Sequence, residues 1–148
     1  MTLVQRIVLA AILICASARA GAQTVGVRAG VSGSPDQFYG GVHAESGPLI
    51  PELRFRPNLE IGTGSNQTLV AVNFEFAYRI PIEREPWSVY LGAGPALNIH
   101  RTPVDTTTGG GLNILVGLDH RQGLFTEIKV GVVDSPSVKF AVGYTFRR

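Results

Sequence analysis

The sequence holds a single cysteine, Cys15, among 148 residues, and only 16% of its residues are charged. One thiol cannot close an internal disulfide, which excludes a disulfide-stapled mini-protein. Low charge together with 45% hydrophobic content excludes a polar disordered chain. After residue 23 no apolar run approaches the ~18 residues that mark a membrane-crossing helix. Charge of one sign is lacking too. If Arg6 and Arg19 belong to a removed leader, 11 of the 13 basic residues remain against 11 acidic ones. A neutral chain has no electrostatic footprint for nucleic acid, so none is expected as a partner. His43, His100 and His120 are scattered without zinc-ligand spacing, and no metal or cofactor is expected.

What is present begins with a leader. Residues 1–22, MTLVQRIVLAAILICASARAGA, place Arg6 before an apolar run from Ile7 to Ala16, followed by small residues. This is the layout of a cleaved secretory signal, with cuts possible after Ala20 or after Ala22. Ile14 precedes Cys15 where a lipid-attachment motif needs a small residue, so Cys15 is expected to leave with the leader. The length then fits one domain over 23–148.

That domain alternates with period two, the signature of strands with chemically different faces. Eight runs stand out: 24–32, 38–46, 50–61, 67–80, 87–100, 111–120, 124–132 and 137–147. In 67–80, Val70, Val72, Phe74, Phe76, Tyr78 and Ile80 oppose Asn73, Glu75, Ala77 and Arg79. The breakers between runs are short and rich in Gly, Pro, Ser, Asn and Asp, and 101–110 is the longest candidate loop. Short connections imply an all-β, eight-stranded antiparallel up-and-down barrel.

Alternation alone leaves open which face is wet. A soluble barrel would bury the apolar face around a ligand; a transmembrane barrel turns it toward lipid. Three features favour lipid. The polar face carries many small residues (Gly26, Gly30, Gly92, Gly94, Gly117, Gly131, Gly143), as a narrow bore requires. Its charges balance: Arg28, Arg54, Arg56, Arg79, Lys129 and Lys139 against Glu45, Glu52, Glu60, Glu75, Asp119 and Glu127, which suggests cross-strand ion pairs in the lumen. Finally, Tyr78, Trp87, Tyr144 and Phe146 converge on one boundary, as an interfacial aromatic girdle does.

The segments GLFTEIKVG (123–131) and KFAVGYTF (139–146) resemble the last two strands of small outer-membrane β-barrels of the OmpA/OmpX/OmpW-like type. The resemblance covers the whole region after the leader. It implies an outer-membrane location, outer-membrane lipid as the surrounding partner, and a terminal strand read by the barrel-assembly machinery through Phe146, with Tyr144 and Val142 in phase.

Chemistry is sparse. The histidines stand in HAE, HRT and HRQ, none of which matches the signature of lipid A deacylases. His43 shares the lumen face with Glu45, but no serine there supplies a nucleophile, and it reads as polar filler. GTGSNQ and Gly109-Gly110-Gly111 lack a phosphate-loop lysine and read as turns. The expectation is a non-enzymatic, monomeric outer-membrane barrel with an envelope-structural role or minor passage of small solutes. The alternatives are a secreted barrel binding an apolar ligand, with Phe74 and Phe76 inward, and a lipid A-modifying enzyme.

Overall fold

The computed structural model describes residues 24–147. The leader and both cleavage sites lie outside the described residues. Eight antiparallel strands follow in chain order: β1 (Thr24–Gly33), β2 (Gln37–Glu45), β3 (Leu53–Gly64), β4 (Gln67–Pro81), β5 (Trp87–Arg101), β6 (Thr106–His120), β7 (Leu124–Val133) and β8 (Val138–Phe146). Each pairs with the next, and β1 pairs with β8 from Val25↔Phe146 to Gly33↔Val138, closing a barrel with no free side.

The turns follow from local chemistry. Ser65 and Asn66, with φ of 49° and 55°, form the two-residue hairpin between β3 and β4, the left-handed geometry that matches strand twist. The segment 101–110 is not the long loop its composition suggests. β5 runs to Arg101 and β6 starts at Thr106. Within the remaining turn, Thr102 N–H donates to the Asp105 carbonyl, and the Asp105 carboxylate accepts from Thr106 N–H at 2.7 Å. The longest connection is instead 46–52, at the end of the barrel that carries both chain ends (the terminal end).

Proline interrupts two ladders where its missing N–H falls. β2–β3 pairing stops at His43↔Asn58, next to Pro57, and β4–β5 pairing skips from Asn73↔Ala96 to Phe76↔Ala93 around Pro95.

The alternating faces are inside out relative to a water-soluble protein. Phe38, Ile61, Phe76, Leu91, Ile128 and Val142 are exposed, while Arg28, Glu60, Glu75, Glu127 and Lys129 are buried. Glu75 is 1% exposed and Phe76, its neighbour, 43%. The apolar-ligand alternative, which needs Phe76 inward and Glu75 in water, therefore fails. Val72 and Ile99 carry outward parity yet are buried.

Candidate functional site: the charged bore

Among the described residues, side chains fill the bore. Its rings sit on glycines of the adjoining strand. Gly117 is the cross-strand partner of Tyr90, Gly143 of Phe125, Gly26 of His43 and Gly30 of Tyr39. A Cβ at any of these glycines would strike the ring opposite it. The strand glycines are thus seats for aromatic rings, a sharper role than small filler. Tyr39, Tyr90 and Phe125, with Leu69 and Leu115, also show that the inward face is not purely polar. Parity alone could have placed Phe125 and Leu115 inside, in step with Glu127 and Asn113.

Between the rings lies a central layer of charges. Lys129 Nζ stands 2.5 Å from Glu75, 3.3 Å from Glu60 and 3.7 Å from Glu127. Arg28 Nη1 reaches Glu60 at 3.4 Å and Glu127 at 3.3 Å. Lys139 also pairs with Glu60, and Tyr90 O–H donates to Glu127 at 2.8 Å. Lys129 and Lys139 are direct cross-strand partners, an arrangement that like charges disfavour. Glu60 reaches both from across the bore and removes the conflict.

Most of these pairs join non-neighbouring strands: β1 to β3 and β7, and β7 to β3 and β4. The ion pairs do run from strand to strand, but mostly across the bore and seldom between adjacent strands. In so narrow a barrel, long side chains from opposite walls meet at the axis before they meet along the wall.

Towards the end opposite the termini, amides take over. Asn113 donates to Asn73 at 2.8 Å, Asn73 to Asn58 at 2.7 Å, and Asn58 to Glu75 at 2.9 Å. Beyond this relay, the void lined by Ser32, Gln37, Tyr39, Glu60 and Lys139 is about 10 Å³, room for one water at most.

At the terminal end, Arg56 bridges the layers, with Nε 3.4 Å from Glu45 and Nη1 3.6 Å from Glu127. Its guanidinium also lies over the rings of Tyr90 and Phe125 at 4.8 and 5.1 Å, a contact that favours a desolvated cation. Arg79 meets Asp119 at 2.5 Å and Glu45 at 3.2 Å, and Arg54 approaches Glu45 at 3.6 Å.

Two corrections concern this end. Glu52, expected to line the lumen, sits in the 46–52 turn with φ of 70° and pairs with no cation among the described residues. The alternation that placed it does not persist through a left-handed residue. Conversely, Arg147 joins the network, 3.1 Å from Asp119. It continues the inward parity of Lys139, Ala141, Gly143 and Thr145, a signal present in the sequence. The bore charges therefore number seven cations and five anions among the described residues, not six of each.

His43 does not reach Glu45. It lies 3.0 Å from Thr145 Oγ1 and packs edge-on against Phe125. His100 faces Asp134 at 3.6 Å, and His120 Nδ1 accepts from Gln122 N–H. Tyr78, Tyr144 and Phe146 are exposed near the terminal end, and Trp87 lies there against His120 at 4.7 Å. Val142 is exposed on the same face of β8 as Tyr144 and Phe146.

No family model and no curated protein matches the chain. Among solved structures it is similar to Neisserial surface protein A, with a TM-score of 0.65 and 17% identity, over 85% of this chain and 95% of that one. The two share a fold. At this identity the likeness speaks for the small closed barrel and not for any particular role.

Proposed function

We propose that the chain is a non-enzymatic integral outer-membrane barrel, exported by the leader at 1–22, whose bore is a closed, salt-bridged plug. The observation that carries this reading is the inverted burial: ionised side chains fill the interior while Phe38, Ile61, Ile128 and Phe140 stand exposed. In water each such side chain left out of a core forgoes about 1.5–3 kcal/mol, so a continuous outward belt of them is sustained by lipid. The structural similarity to Neisserial surface protein A supports an outer-membrane location.

Of the two roles, the filled bore favours an envelope-structural one over passage of solutes, since moving a solute would require breaking several buried ion pairs at once. Phe146, Tyr144 and Val142 serve as the strand-end pattern for barrel assembly, and the closed barrel works as a monomer in outer-membrane lipid. The test is refolding into detergent and into bilayers. An unboiled sample should migrate apart from a boiled one on a denaturing gel, and planar bilayers should show no steady ion current. Folding in buffer without detergent would overturn the membrane reading, and a sustained current would overturn the plug.

A further inference from the structure

The charges of the bore are not compensated evenly along its length. In the central layer Arg28, Lys129 and Lys139 meet Glu60, Glu75 and Glu127, three against three. At the terminal end four guanidinium groups, from Arg54, Arg56, Arg79 and Arg147, gather around two carboxylates among the described residues, Glu45 and Asp119, with Arg56 also reaching back to Glu127. Glu45 takes all four, at 3.6, 3.4, 3.2 and 3.9 Å respectively. Donor capacity is left over: the Nε atoms of Arg54 and Arg147 are buried without a hydrogen-bond acceptor among the described residues. The carboxylates of the adjoining turns do not make up the deficit. Glu52 pairs with none of these arginines, and Glu83 and Glu85 are exposed in the 82–86 turn.

This end is also reachable. The side chains of Arg54 and Arg147 are 28% and 26% exposed, against 0–2% for Arg28 and Lys129 in the centre. We propose that the terminal mouth of the bore is a binding site for a phosphate-bearing dianion. A dianion matches the excess of seven cations over five anions among the described bore residues, and the planar guanidinium fork matches the spacing of phosphate oxygens. Arg54 and Arg147 form the open rim that takes the anion, and Arg79, held by Asp119 and Glu45, sets the depth to which it enters. The source is either free phosphate or a phospholipid headgroup, which present the same oxygens.

The test uses the full barrel refolded in a maltoside detergent, which carries no phosphate, and calorimetric titration at fixed ionic strength. One arm adds inorganic phosphate and the other dihexanoyl phosphatidate. Saturable binding of inorganic phosphate, weakened about tenfold in Arg54→Gln by loss of a charge-assisted hydrogen bond, assigns the site to the free anion. The same pattern with phosphatidate alone assigns it to a headgroup. Arg121→Gln, an exposed cation in the nearby 121–123 turn, should leave affinity unchanged. Arg147→Gln replaces Arg54→Gln if the latter does not refold, as judged by gel migration. Absence of saturable heat in both arms, or equal weakening by Arg121→Gln, overturns the proposal. Neither result bears on the membrane reading, which the gel and bilayer experiments decide.

Discussion

The centre of the bore and its terminal mouth are built from the same residue types and behave as opposites. In the centre Glu60 and Glu127 are each shared by three cations and Glu75 is paired with Lys129, exposure is nearly zero, and aromatic rings seated on glycines close the gaps. At the mouth arginines outnumber carboxylates and reach solvent. Charge compensation in a narrow barrel therefore works layer by layer. A sum over the whole lumen face conceals it, because screening by water falls away within a few residues of the rim.

The largest break in this comparison should come from Glu60→Ala. It strands Lys139 in the dry centre and takes one of their carboxylate partners from Arg28 and Lys129, and the urea midpoint of refolded protein should fall by the equivalent of about 3–5 kcal/mol. Ile128→Arg tests the opposite face of β7. In bilayers it should cost about 2–4 kcal/mol near mid-depth, and much less in small micelles, where the cation reaches water. A similar cost in both environments would mean that the outward face is not set by lipid. Gly117→Val pushes a branched side chain into the Tyr90 ring and should cost about 1–3 kcal/mol by overpacking; adding Tyr90→Ala should recover part of it, and absence of recovery would discount the ring-seat pairing. The smallest effect belongs to the rim. Arg54→Gln, partly exposed and 3.6 Å from Glu45, should change the unfolding free energy by less than about 1 kcal/mol.

Much of this was legible from the residues. Period-two parity separated Glu75 from Phe76 and Lys129 from Ile128, and Gly, Pro and Asn marked most turns. Two departures arose where a local conformation had changed. Glu52 lost its parity in a left-handed turn, and the threonines and glycines of 106–110 joined β6 because β5 offered them a partner strand. Arg147, Phe125 and Leu115 follow the parity, and a strict count would have placed them all inside. The glycine–aromatic pairs were hidden because they depend on register: Gly117 faces Tyr90 only once β5 and β6 are aligned.

The sequence by itself determined which side chains share a face, since adjacent residues in a strand point to opposite sides whatever the strand packs against. Only closure of β1 on β8 decided that the charged face lies within and which charges meet there. Arg28 lies 32 residues from Glu60 and 99 from Glu127 in the chain. Such partners are fixed by the stagger of the closed sheet and the width of its bore, quantities that arise from all eight strands together.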